Sequence, residues 1–449
     1  MPSAPTADCE VPQLIDEVGS SATNGHLNFQ MLATFQLNEN DPLHPHNIGI
    51  VRKWLAVATV SMGSLCVACA SSIYSTTYNQ LLKDFNCSHE VVTLGLSLFI
   101  WGMGIGPLIL APLSEIYGRR IVYLCSLTFF FIWLLPCAVA TNIQTLLVGR
   151  FLDGFAGSAF LSVAGGTVGD LFPRHRLAFP MMIYTASPFI GPEIGPLRWT
   201  FYVLLCWAAV LILLVYFFVP ETYLPVLLKR KLQHLQNEPL EKDSPFLPKK
   251  LLHSMSKPML LLSMEPMCLC LCVYSAILLG ILYLFFGAFQ IVFESVYRFA
   301  LWQCGLSFLG LLVGMLFAVL CDPFWTSNYL KLEKKHQILC GEDSGFLPEW
   351  RLPPAIAGAP LVTTGLFVFA WTTFSNVHWM VPIIGSSMFG AGTVFVYSGV
   401  FTFLIDAYPT YSASALAANS FTRSIFAGIF PLFGTQSELN FSAGRGEKH

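Results

Sequence analysis

The chain has 449 residues, 55% hydrophobic and 11% charged, with a mean hydropathy of +0.62. A soluble domain carries about 25% charged residues, so this composition excludes a water-soluble globule and places the chain in lipid. A formal net charge of -2 offers no electrostatic basis for nucleic-acid binding.

Residues 1–50 are polar, lack a basic-then-apolar leader, and read as a disordered cytosolic N-terminal tail. A bilayer span takes about 20 apolar residues. Such stretches occur at 54–76, 91–113, 121–141, 146–170, 177–196, 199–219, 266–291, 301–321, 354–374, 379–405 and 410–435. The expected fold is an all-α integral membrane protein of about eleven spans, arranged as a two-lobed helical bundle. A first lobe of six spans covers 51–219, a cytosolic central loop 220–258, a second lobe of five spans 259–436, and a polar tail 437–449. With the N-terminus inside, 17 of the 24 basic residues fall on the inner side and five outside, as the positive-inside rule requires. The C-terminus is then expected outside.

In chain order, the first polar feature at a span end is GPLILAPLSEIYGRR, which brings Gly106, Pro112, Glu115, Gly118, Arg119 and Arg120 to the inner end of span two. Span four carries GRFLDGFAGSAFLSVAGGTVGD, with Arg150 and Asp153 three apart on one helix face. Ionisable groups inside a span are costly and usually functional. The pair also admits a plain reading, as mutually satisfied charges near the outer interface. Span five ends in GPEIGP. Gly191 and Gly195 stack four apart, Pro192 and Pro196 favour a bend, and Glu193 lies between them. Glu193 reads either as a proton-handling or cation-attracting carboxylate, or as a solvated group at the outer mouth. Only Leu197 and Arg198 separate this segment from span six.

In the second half, Gly310 and Gly314 on span eight repeat the spacing of Gly102 and Gly106 on span two. Asn419 and Arg423 are four apart on span eleven, with Arg423 either a bundle-interior partner or a charge satisfied by packing. Tyr274, Phe285, Phe286 and Tyr397 are candidates for an aromatic cavity, against a core or lipid-facing reading. The thirteen cysteines lie mostly within apolar runs and read as small hydrophobes, so no metal site is expected.

These motifs resemble those of the major facilitator superfamily. GPLILAPLSEIYGRR resembles its loop 2–3 signature, GRFLDGFAG its span-four motif, and GPEIGP the motif of its drug:proton antiporters. SLCVACASSIYSTTY, VPETYLPVLLKRK, PEWRLPPAI and IDAYPTYSASALAANSFTRSIFAGIF resemble a fungal subgroup, over residues 41 to 436. The resemblance implies that Glu115, Arg119 and Arg120 latch the two halves at the cytosolic side, and that Arg150 serves proton coupling. It implies a twelve-spanning exporter that exchanges protons for small amphipathic or cationic compounds, as a plasma-membrane monomer driven by the proton gradient. No cofactor is expected, since no GxxxxGK[ST] nucleotide-binding run occurs. The resemblance lapses after Pro196 and beyond Gln436, where a last span is missing. An inactive or regulatory transporter relic is therefore the alternative, and a membrane-embedded enzyme the third reading. Dispersal of the ten histidines argues against the enzyme.

Overall fold

A computed structural model describes residues 44–173, 179–181, 183–184, 187, 200–228, 231, 247–340, 348–374, 376–408 and 412–444, and among these fifteen α-helices have defined bounds. The first half holds α1 (Ile50–Thr76), α2 (Tyr78–Phe85), α3 (His89–Tyr117), α4 (Arg119–Ala138), α5 (Ile143–Gly157), α6 (Ala159–Leu171) and α7 (Thr200–Phe218). The second holds α8 (Leu247–Met264), α9 (Pro266–Ile291), α10 (Leu301–Ser307), α11 (Leu309–Leu320), α12 (Asp322–Cys340), α13 (Pro353–Thr372), α14 (Met380–Ala407) and α15 (Ser412–Gly444). No strand occurs among the described residues.

Among the described residues, nine helical stretches are long and apolar enough to cross a membrane, where the sequence suggests eleven. Most of the expected fifth span, 177–196, lies outside the described residues; the eleventh is α15, a 33-residue helix. One further expectation is corrected. The central stretch 220–258 is not loop throughout, because α8 begins at Leu247. Its lysines mask a leucine-rich helical run with Pro248 at the second position, where its missing N–H costs nothing. The polar tail is helical as far as Gly444, with no proline after Pro431 to stop the backbone ladder.

Two apolar cores form, one per half. The first gathers Val60, Phe99, Tyr123, Phe130, Phe160 and Leu211, and the second Phe285, Phe289, Leu311, Phe389 and Leu404. Phe285 therefore belongs to a core: its ring packs 4.9 Å from Phe369 and 4.8 Å from Phe389. Tyr274 is partly exposed on the outside of the bundle, and the side chain of Phe286 lies outside the described residues. Phe217, Leu213 and Tyr216 of α7 stay exposed, as side chains facing lipid do.

Glycines set the helix contacts. A side chain at Gly102 would meet the backbone N of Phe155 at 2.8 Å, and one at Gly106 the backbone O of Phe155 at 2.8 Å, so α3 lies directly on α5. Gly310 and Gly314 do the same for α11 on α14, against Ile383 O at 3.0 Å and the Ser387 carbonyl carbon at 2.7 Å. The shared spacing thus has a shared meaning: in each half the second span backs onto the fourth.

Candidate functional site

At one end of the bundle, α3 stops and α4 starts through Gly118, at φ 99° and ψ 156°, a backbone region that side chains rarely adopt. Gly118 is the N-cap of the helix that follows but has no side chain to accept its first N–H groups. Glu221, just beyond α7 and nearly buried, supplies the cap. Its carboxylate accepts the backbone N–H of Arg119 at 2.9 Å and of Arg120 at 3.2 Å, and those of Thr222 and Tyr223 at 3.1 Å each. A carboxylate at a helix N-terminus is stabilised by the orphan amides and the dipole. The Arg119 side chain donates to Ser114 Oγ at 2.7 Å, pairs with Asp170 at 3.4 Å, and covers the Tyr223 ring at 5.0 Å. Arg120 donates to the Tyr216 carbonyl at 2.6 Å. All these partners precede the second half. Glu115 is half-buried, and among the described residues Arg119 and Lys257 are the cations within its electrostatic reach; Lys257, on α8, is the contribution from the second half.

Deeper in the first half, Arg150 and Asp153 on α5 are both 0% exposed. One Arg150 amine donates to the Ala70 carbonyl at 2.9 Å. The guanidinium faces Tyr74 at 4.5 Å, Phe201 at 4.7 Å and Phe99 at 5.6 Å, so three rings replace the water it has lost. Among the described residues, neither Asp153 oxygen has a hydrogen-bond partner, and the Nε and Nη2 of Arg150 have none. The two groups are neighbours on one face, yet they are not hydrogen-bonded to each other.

In the second half, Asn419 of α15 is buried and donates to Ser275 Oγ of α9 at 3.0 Å. The Tyr397 hydroxyl of α14 donates to the Ser275 carbonyl at 2.7 Å. Arg423, one turn beyond Asn419, lies 5.3 Å from the Tyr397 ring and 5.0 Å from Phe401. The halves meet close by. Ser97 of α3 donates to the Gly428 carbonyl at 2.7 Å, and the hydroxyls of Ser71 and Tyr283 lie 2.9 Å apart. Tyr74, Ile100, Leu146, Tyr283 and Ala427 form an apolar cluster across the seam.

Two lobes that each place the second span on the fourth, with polar groups at the seam, match a known design. The family model described as Major Facilitator Superfamily matches residues 60–431. The chain belongs to that superfamily. Among similar proteins is the efflux pump atB of Aspergillus terreus, 49% identical over 436 residues, covering 93% of this chain and 83% of the relative. The probable drug/proton antiporter YHK8 of Saccharomyces cerevisiae is 38% identical over 411 residues, covering 87% of this chain and 79% of that protein. Among solved structures, the human organic anion transporter MFSD10 gives a TM-score of 0.60 at 15% identity, covering 85% of this chain and 92% of that one. The partially occluded inward-open xylose transporter XylE of E. coli gives 0.57 at 15% identity, covering 85% and 92%. At such identity the structures speak for the fold alone. The family match and the relatives make the chain a membrane-embedded transporter, not an enzyme.

Within this facilitator, the structure groups Gly118, Arg119 and Arg120 with Asp170 and Glu221, two carboxylates that reading the sequence passed over. Asp170 closes the quoted span-four run and Glu221 follows span six, so the available signal was an acidic residue at a span end. Pro112 is buried within α3, a turn before Glu115. Gly191, Pro192, Glu193, Gly195 and Pro196 lie outside the described residues. Cys66 and Cys69 form a buried Cys-x-x-Cys pair in α1, and no group of three or more possible metal ligands occurs among the described residues.

Proposed function

We propose that the chain is a secondary active exporter, exchanging protons for small amphipathic or cationic organic compounds by alternating access. The observation that carries this reading is the buried Arg150–Asp153 pair, whose carboxylate accepts no hydrogen bond. An ionised carboxylate is expensive to bury without partners, so it either takes up a proton or draws in a cation. Asp153 then holds a proton while the site is closed and releases it when water arrives. Arg150, three residues away, balances the charge left behind. Asn419 and Arg423 supply the polar surface of the second half along the substrate path. The relatives named as efflux pumps and as a drug/proton antiporter support the direction and the coupling. In this reading the proton gradient is the energy source, no cofactor takes part, the unit is a monomer in the plasma membrane, and the N-terminus is cytosolic.

The test is transport in liposomes holding the purified chain, with an imposed pH gradient and ethidium and rhodamine 6G as fluorescent cations. Gradient-driven movement is expected. Asp153→Asn should abolish the dependence on the gradient at normal abundance, while downhill exchange of the dye persists. Loss of coupling in Glu193→Gln would add that residue to the mechanism, and unchanged coupling would remove it. A well-folded wild-type chain that moves neither dye nor protons would overturn the reading in favour of the inactive relic.

A further inference from the structure

One face of α9 carries two thiols. Cys268 and Cys272 lie four apart, both buried, with their sulfurs 3.9 Å from each other, while Cys270 between them is exposed. Cβ atoms at this spacing stand about 5–6 Å apart, and a disulfide needs about 3.5–4.5 Å, so a regular helix keeps the pair reduced. A two-coordinate metal ion makes a different demand. Two metal–sulfur bonds of about 2.3 Å put the sulfurs about 4.6 Å apart when straight and closer when bent. A small side-chain rotation spans that difference.

The surroundings suit a pair of thiolates. Asn419 of α15 gives one amide hydrogen to Ser275, and its side chain also reaches Cys272. Arg423, one turn on, is within electrostatic reach of Cys272. Its Nε is buried with no hydrogen-bond partner among the described residues, and so is the Asn419 Oδ1. An orphan donor on a buried cation is costly until a negative group answers it. Metal binding supplies that group. Two S–H protons leave to water, two metal–sulfur bonds form, and the bis-thiolate complex of a monovalent ion carries one negative charge against the one positive charge of Arg423. Zinc does not fit, since it takes four tetrahedral ligands and no group of three or more possible ligands occurs among the described residues. Two sulfurs alone select a soft monovalent ion. We propose that Cys268 and Cys272 form a two-thiolate site for such an ion, of the copper(I) class. The way in is the corner where α8 gives way to α9. Glu265 is exposed there, one turn before Cys268, and accepts from the Tyr408 hydroxyl at 3.5 Å.

The experiment uses the purified full chain in detergent, kept anaerobic, with copper(I) buffered by bicinchoninate and bound ions counted by native mass spectrometry. Cys268→Ala or Cys272→Ala should weaken one ion by more than about a hundredfold, and Arg423→Gln should weaken the same ion by about tenfold. Cys270→Ala and an excess of zinc(II) should leave the count unchanged. Cys66 and Cys69 are a second dithiol, so their contribution is removed separately. In a chain with Cys66→Ala and Cys69→Ala one ion should remain, and adding Cys272→Ala should release it. No copper on the wild-type chain, displacement by zinc, loss of every ion with Cys66 and Cys69, or an unchanged count in Cys272→Ala would overturn the proposal. The first two outcomes are read on the wild-type chain and stand even where a variant does not fold. Binding is measured with neither gradient nor dye, so its failure leaves the export reading intact. A chain that holds copper but moves no dye would sink export alone.

Discussion

Glu221 meets four backbone N–H groups and closes the turn that Gly118 opens. Residue by residue, this corner sets the end of α3 and the start of α4. Gly118→Ala meets two penalties: a backbone region open almost only to glycine, and a new Cβ lodged against the Glu221 carboxylate. The expected loss is about 1–3 kcal/mol, read as a lower Tm in detergent. Glu221→Ala leaves the first amides of α4 uncapped and should cost about 1–3 kcal/mol by the same measurement. Arg150→Lys keeps the charge but loses the planar group that faces three rings, and lysine cannot replace arginine there. That variant should fall in transport by tenfold or more while its membrane abundance holds. An unchanged rate would show that charge alone is what the site needs.

Between elements, the glycine faces are the strongest constraint. A side chain at Gly314 would press on the backbone of Ser387, and backbone cannot swing aside as a side chain can. Gly314→Leu is therefore expected to separate α11 from α14 and abolish monodisperse protein on size exclusion. Gly169, in α6, is the control: a Cβ there meets nothing within 4 Å. Gly169→Ala should leave stability unchanged or raise it by up to about 1 kcal/mol, from helix propensity alone. The ion pairs repeat across the halves in the same way. Arg119, opening α4, pairs with Asp170 near the end of α6; Arg351, just before α13, pairs with Asp406 near the end of α14. In both halves the third span begins where the fourth ends, and the two pairs cross-brace one end of the bundle.

Over the whole molecule, the seam is what an alternating-access carrier must open. α3 and α15 touch through Ser97 and Gly428, and Gly104 sits against Ser424. Ser97→Cys combined with Gly428→Cys, in a chain with Cys125, Cys206 and Cys270 replaced and with Trp101→Ala to clear the space that a side chain at 428 needs, should form a cross-link under oxidation. Transport should stop when the link forms and return on reduction; transport unaffected by the link would show that this seam stays shut throughout the cycle. The sequence by itself determined the membrane class, most of the spans, the division into two halves and the Gly118–Arg119–Arg120 turn, because hydropathy, charge bias and turn chemistry are local properties. It also placed Arg150 beside Asp153 and Asn419 beside Arg423, since helical spacing puts such neighbours on one face. Only the tertiary structure decided which carboxylates answer the arginines. Asp170 and Glu221 stand 51 and 102 positions from Arg119, and no local period reaches that far. Packing likewise sent Phe285 into a core and set Arg423 of α15 within reach of Cys272 of α9, because helix rotation emerges only when the helices are in place.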